Sequence, residues 1–412
     1  MSKLDFLTMD DYDFTGKRVL LRVDMNIPVD KATGRLKETA KIYEHAKTIL
    51  ELVRKKAKVV VLTHQGRPGE SDFIPLDQHV EVLSSIISRV KYVKDLMGEE
   101  AERSIKELKN GEVLVLENVR TWPEELKEQP PEELAKSKLV QKLAPLFDVF
   151  VNDAFGAAHR SQASLVGFAE VLPTVAGRLM EWELKMLVKA ASKPERPSIY
   201  ILGGVKAEDA VEVCEGVLSR GVADKVLTGG LIASIFLTAK GYRLGEPNEQ
   251  LIEKKGFKSM VPDAQKLLSR FEGRIVTPVD VAVEKPRGKR SEVKVGDLPV
   301  DALIKDVGAD TINLYKEELK DAKTVVFSGP LGVFEEPLFM RGTEEILKAM
   351  ANSKAFTMIG GGHTVAAAKQ VGVIDSISYT STGGGALTAY LTGKELPVVT
   401  ALRKAALRRR TG

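Results

Sequence analysis

Along the chain, short unbroken runs of Val, Ile, Leu and Phe alternate with longer stretches in which apolar residues recur every three or four positions. Unbroken apolar runs predict strands covered on both faces, and the stretches between them predict helices. The alternation is that of βα units closing into mainly parallel sheets. Four runs fall in the first half: RVLLRVD (18–24), AKVVVLTHQGRP (57–68), EVLVLENVR (112–120) and DVFVNDAFGAAHR (148–160). Five fall in the second: PSIYILGG (197–204), DKVLTGG (224–230), KTVVFSGPLG (323–332), AFTMIGGGH (355–363) and SISYTSTGGG (376–385). Between them Pro173 precedes a periodic segment from Thr174 to about Ala191 that stops at SKPERP, which predicts a helix joining two domains. The expected fold is therefore α/β, with two Rossmann-like domains joined by an interdomain helix and a boundary near residues 170–195.

Composition narrows this picture without redirecting it. With 412 residues, 43% of them apolar, the chain can build two ordinary cores. The 61 basic against 57 acidic residues leave only +4, too little to imply nucleic acid or membrane. MSKLDFLTMDDYDF has no apolar core of signal-peptide length, and no run approaches a membrane span, so a cytoplasmic protein is expected. Cys214 is the single cysteine and sits at helical spacing with Val211, Val217 and Leu218, which favours a core cysteine over a catalytic one. A charged fraction of 29% with one cysteine points toward a thermophile.

Ligands of open α/β sheets sit beyond the carboxyl ends of the strands, and there the two halves differ. First-half runs exit into charge: Asp24 and Asn26, then His64 and Arg67, then Arg120, then His159 and Arg160. If these ends share one sheet edge, three arginines and two histidines meet in one pocket suited to a small, highly charged anion, because the guanidinium fork pairs two oxygens at once. Second-half runs exit into glycine, and several of these turns lead straight into helical patterns, as at Gly203–Gly204, Gly361–Gly362 and Gly383–Gly385. Glycine lets backbone approach phosphate oxygens, and a helix start supplies free N–H groups. Neither a P-loop nor a GxGxxG fingerprint stands at a strand–helix junction. Lys206 can reach transferred phosphoryl oxygens, and Glu335 suits ribose hydroxyls. A small anion on one domain and a polyphosphate on the other suggest phosphoryl transfer, which needs positioning and charge neutralisation more than acid–base groups and implies domain closure to exclude water.

RVDMNIP, THQGRP, LENVR, NDAFGAAHRSQAS, ILGGVK, SGPLGVFE, GGGHT and STGGGA follow one another in an order and spacing that resemble the phosphoglycerate kinase family over nearly the whole chain. The resemblance implies reversible phosphoryl transfer between 1,3-bisphosphoglycerate and ADP, giving 3-phosphoglycerate and ATP with Mg²⁺. It implies that Asp24, Met25, Asn26, Lys41, His64, Gln65, Gly66, Arg67, Arg120, His159 and Arg160 bind the phosphoglycerate. Lys206, Glu335, Gly361, Gly362, His363 and Thr364 would hold the nucleotide, and Lys41, Lys206, Gly362 and Gly384 would act on the transferring group. It also implies domains at 1–172 with 395–412 and at 193–394, a linking helix at 173–192, and a monomer. The terminal RKAALRRRTG then reads as a docked or solvated tail rather than a nucleic-acid arm.

The chain departs from the family pattern in ways that resemble its archaeal branch. Lys41 stands where an arginine is usual, leaving its role to Lys41 or to Arg35; Ala210 replaces a second lysine, and Ser328 an asparagine. His363 replaces the aspartate expected to hold Mg²⁺, and it is a poor ligand for a hard cation, so the metal ligands stay unassigned. The rival readings are a kinase of another small anionic acid and a non-catalytic nucleotide or nucleic-acid binder. The last rests on the basic tail, and no aromatic residues are interleaved with the basic loops to support it.

Overall fold

A computed structural model describes residues 5–286 and 288–411. The chain forms two compact units, one from the residues up to Leu184 together with the segment from Glu395 onward, the other from Lys185–Lys394. Each is built on a six-stranded, wholly parallel sheet.

In the first unit the strands are β1 (Arg18–Arg22), β2 (Lys58–Leu62), β3 (Val90–Tyr92), β4 (Val113–Val115), β5 (Val149–Asn152) and β6 (Thr174–Ala176), in the order β3-β4-β2-β1-β5-β6. Their apolar runs are buried along nearly their whole length, as helices on both faces require. Helix α1 (Ala40–Arg54) shows why: Ile42, Ala46, Ile49 and Leu52 form its buried stripe, while Tyr43 and Lys47 face solvent. From β1 the chain runs to β2 on one side and later to β5 on the other, so strand order reverses between β1 and β5 and leaves a crevice beyond their carboxyl ends.

The periodic segment expected as a helix from Thr174 starts instead as a strand. Thr174–Ala176 pair with Phe150–Asn152, and helix α2 begins only at Arg178, running to Ala191. Thr174 and Val175 are β-branched and wholly buried beside β5, where a strand packs them better than a helix start would. The first turn of α2 is then pinned. Arg178 binds both carboxylate oxygens of Glu51, at 2.7 Å each, and both of Asp10, at 3.0 and 2.5 Å.

The second unit's sheet joins β7 (Ser198–Leu202), β8 (Lys225–Thr228), β9 (Ile275–Val276), β13 (Thr324–Ser328), β14 (Phe356–Gly360) and β15 (Tyr379–Thr380) in the order β15-β14-β13-β7-β8-β9. Its reversal falls between β7 and β13. An antiparallel sheet absent from the sequence reading, β10 (Asp280–Lys285), β11 (Lys289–Lys294) and β12 (Ile304–Val307), adds to this unit. Helices α3 (Ala207–Ser219), α4 (Gly230–Ala239), α5 (Gly362–Val371) and α6 (Gly385–Thr392) each start just beyond a strand end. Cys214 is buried in α3, its thiol pushed up to about 12 by burial, as a core cysteine is. Helix α7 (Pro397–Thr411) returns to the first unit and packs on β6, where Arg408 pairs with Glu170 at 2.8 Å. The basic tail is thus docked; Gly412 and residues 1–4 lie outside the described residues. No described helix is long and apolar enough to cross a membrane.

Candidate functional site

The charged exits of the first unit do gather at one edge. His64 lies close enough to Arg22, Arg120 and Arg160 to feel their charge, and Arg120 to feel that of Arg160, Arg22 and Arg67. Burial first, and then these like charges, lower Arg120 to about 10 and push His64 well below the usual imidazole range. His159 shifts the same way, through burial and then the adjacent Arg160, whose Nε donates to His159 Nε2 at 3.3 Å. The buried Arg120 Nε has no protein partner, whereas His159 reaches the Gly156 backbone. Cations crowded together, with a buried donor unpaired, suit an anion of several charges.

Asp24 stands among them as the counter-charge. Against its own burial, Lys41 above all and then His64 and His45 hold its carboxyl well below the ordinary value. Lys41 reaches it at 3.1 Å from α1, while His45, one turn further along, accepts the Asp24 N–H at 3.1 Å. Arg35, the other candidate for the missing arginine, is exposed and faces Glu81 at 3.9 Å. Arg67 is exposed as well, close enough to Arg120 for its charge to act there.

Two residues expected against the ligand turn their side chains into the unit. Met25 is wholly buried in the core; its N–H donates to Thr63 Oγ1, and its carbonyl accepts from His79. Gln65 is wholly buried too, with its amide bonded to Ile27 and to the Asp72 carbonyl. Asn26 Oδ1 accepts the Gly66 N–H at 2.9 Å, and Arg120 donates to the Gly66 carbonyl, so the 64–67 loop is fixed on both sides.

A second buried layer escaped the sequence reading. Arg22, the last residue of β1, is only 1% exposed. Its Nε donates to Ser164 Oγ at 2.8 Å, one terminal nitrogen to the Val23 carbonyl and the other to His64 Nδ1 at 3.2 Å. Ser164 in turn donates both Oγ–H and N–H to Glu125, at 2.5 and 3.1 Å, and burial raises that carboxyl. On the other side His45 Nδ1 meets Asp153 Oδ2 at 2.9 Å, and Asp153 Oδ1 accepts the Leu179 and Met180 N–H groups at the start of α2.

In the second unit the glycine turns border two adjoining cavities. One, of about 400 Å³, is lined by Gly203, Gly204, Lys206, Ser328, Gly329, Gly361–Thr364, Gly384 and Gly385. It opens onto the N-terminal ends of α3, α5 and α6, whose first N–H groups have no partner within the helix. Gly203 and Gly329 meet backbone to backbone at the β7/β13 reversal: at Gly329, with φ +84°, a Cβ would lie 2.0 Å from the Gly203 carbonyl oxygen. Thr364 is buried, and its hydroxyl accepts the Gly329 N–H at 2.8 Å, tying two of the turns together. Lys206 is exposed on the rim. The neighbouring cavity, of about 230 Å³, is mostly apolar, with Leu231, Leu237, Val281, Val307 and Phe334, and has Glu335 and His363 at its edge. The His363 ring lies 5.9 Å from that of Phe334. A flat aromatic base fits the apolar cavity, and a polyphosphate fits the glycine-bordered one.

Fit to a hard cation is poor. Among the described residues no three His, Cys, Asp or Glu side chains come together. Around the glycine-bordered cavity Asp209 is the single carboxylate, and His363 offers nitrogen to an ion that prefers oxygen.

Known proteins share this sequence pattern and fold. The family profile described as phosphoglycerate kinase matches residues 9–394. Curated relatives named phosphoglycerate kinase include that of Methanothermus fervidus, 46% identical over 97% of both chains, and that of Methanothermobacter thermautotrophicus, 49% identical over 97% of both. Among solved structures, phosphoglycerate kinase from Pyrococcus horikoshii superposes with a TM-score of 0.89 at 43% identity, covering 98% of this chain and 100% of that one. The Coxiella burnetii enzyme gives 0.83 at 31% identity, covering 97% and 100%.

Proposed function

The chain belongs to the phosphoglycerate kinase family, and from that premise we propose how its residues divide the work of moving a phosphoryl group between 1,3-bisphosphoglycerate and ADP. The observation that carries the reading is the contrast between the two sheet edges: guanidinium and imidazole donors crowd one, and glycine turns at helix starts border the other.

On the first unit Arg120, Arg160, Arg67 and His64, with His159 beside them, bind the phosphate and carboxylate of 3-phosphoglycerate, and Asp24 and Asn26 accept from its hydroxyl. Lys41 neutralises the transferring group. It reaches that group by exchanging its contact with Asp24 for the incoming phosphate, a point charge serving where a fork is usual. On the second unit the apolar cavity takes the adenine and Glu335 the ribose. Gly361, Gly362 and the neighbouring helix starts hold the phosphates, and Lys206 and the Gly384 turn face the terminal one. His363 lies beside the nucleotide. The acceptor is already a carboxylate, so no general base is required; the protein lowers the barrier by alignment and by spreading positive charge over the equatorial oxygens. Transfer requires the two ligands to be brought together with water excluded. Asp209, the single carboxylate lining the glycine-bordered cavity, is the side chain that would meet a Mg²⁺ bound with the nucleotide, and such an ion would neutralise phosphate charge there. The reading includes a monomer acting in the cytoplasm on dissolved substrates. The relatives favour neither a kinase of another acid nor a non-catalytic binder.

The test is a coupled assay of ATP-dependent phosphorylation of 3-phosphoglycerate beside glycerate, 2-phosphoglycerate and acetate. A clear preference for 3-phosphoglycerate is expected, and equal turnover of another acid would overturn the assignment.

A further inference from the structure

Arg22 lies behind the anion pocket, yet its chemistry dictates how one pocket residue presents itself. A guanidinium has five donors and no acceptor. The 3.2 Å contact between Arg22 and His64 Nδ1 therefore makes Nδ1 the acceptor. A ring accepting at Nδ1 carries its proton on Nε2, the nitrogen turned toward Asp24 Oδ1 at 3.9 Å. We propose that Arg22 is a positioning residue for the reaction: it fixes His64 with the proton on Nε2, so that the ring offers a hydrogen-bond donor to the anionic substrate.

The opposite tautomer is disfavoured twice. It would set an N–H against the Arg22 N–H inside the core, and it would aim a lone pair at an anion. Double protonation is opposed as well, since burial and the charges of Arg22, Arg120 and Arg160 all act against it, with Asp24 alone favouring it. Arg22 can enforce this because it is itself immobile. Ser164 Oγ accepts from Arg22 and donates to Glu125, which fixes the hydroxyl hydrogen, and the Glu125 carboxylate compensates the buried guanidinium from one hydroxyl away. The order Glu125, Ser164, Arg22, His64 is a line of buried groups, each orienting the next, and its last proton faces the pocket.

The inference rests on the reading of this pocket as the phosphoglycerate site, and the experiment separates the two. In the isotopically labelled full chain at neutral pH, long-range ¹H–¹⁵N correlations of the imidazole rings, assigned with His64→Gln, report which nitrogen of His64 is protonated. A single Nε2–H tautomer is expected, and its Nε2 signal should shift on adding 3-phosphoglycerate. A wild-type ring protonated on Nδ1, or on both nitrogens, overturns the proposal whatever any variant does. Because Arg22 variants leave Glu125 buried without a counter-charge, the partner experiment uses Arg22→Met with Glu125→Gln, which removes both charges together. The expected result is loss of the single tautomer and a rise of about tenfold in KM for 3-phosphoglycerate, with KM for ATP changed by less than about twofold. Equal rises in both KM values would show a merely structural role and overturn it. A correct tautomer that 3-phosphoglycerate leaves unperturbed would instead sink the reading of the pocket and, with it, any purpose for the proton.

Discussion

The two units share a sheet plan and use opposite materials at the sheet edge. In the first, the crevice between β1 and β5 is walled by side chains whose charges and hydrogens are set by a buried layer, with Arg22 behind His64 and His45 behind Asp24. In the second, the crevice between β7 and β13 is walled by backbone, where Gly203 and Gly329 touch and Lys206 is the one lysine on the rim of the larger cavity. A compact anion offers several oxygens within a few ångströms, and only side-chain forks converge that tightly. A polyphosphate is long, and helix starts spaced along a sheet edge can follow it.

The comparison predicts where each unit breaks. The largest effect is expected for Gly329→Ala, because the new methyl meets the Gly203 carbonyl as well as an unfavourable φ. A loss of about 4 kcal/mol or more, read by calorimetry in the second unit's transition, should follow; an unchanged transition would mean that the backbone contact is not what shapes that crevice. Acid should then drive the units in opposite directions. Burial lowers His79, in the first unit, to about 4, and raises Asp306, in the second, to about 6. The unfolded chain binds the His79 proton below about 6.5 while the folded chain does not until about 4, so the first unit loses about 3 kcal/mol as pH falls through that window. Asp306 takes its proton earlier when folded, so the second unit gains about 3 kcal/mol between pH 6 and 4. Denaturant midpoints of wild type, His79→Gln and Asp306→Asn across that range check both signs, and parallel slopes would refute the contrast.

Arg160→Ala tests side-chain recognition more locally. A rise of about 30-fold in KM for 3-phosphoglycerate, with KM for ATP unchanged, is expected from the loss of a charge-assisted pair; equal rises would erase the division between the units. The smallest effect is reserved for His363→Asp. A carboxylate on the first turn of α5 gives the cavity a second one beside Asp209, and a shift of about two- to fivefold in the Mg²⁺ concentration for half-maximal rate is expected. No shift would show that this position does not meet the metal.

The nine long apolar runs were legible because a parallel strand covered on both faces cannot interrupt its apolar character. Besides the β10–β11 hairpin, whose second strand is mostly charged, what the sequence hid was short or borrowed its stability from afar. Thr174–Ala176 blended into the periodicity of the helix behind it, and Val90–Tyr92, with one exposed lysine in three residues, carries no strand signature. The charged strand exits were readable one by one, since each follows its run directly. Arg22 was not, because Ser164, which locks it, is 142 residues away and Glu125 sits in a stretch that reads as surface. The available signal was the charge itself, an arginine set between the apolar residues of RVLLRVD. Motif position placed Met25 and Gln65 in the loops of the site without saying that their side chains face inward.

The docking of α7 on the first unit bears on how the chain is made. A ribosome delivers the whole of residues 185–394 before it delivers the segment that finishes the earlier half, so the later-encoded lobe can be complete while its predecessor still waits. A nonsense codon near position 395 would therefore harm not the lobe it immediately follows but the one begun first.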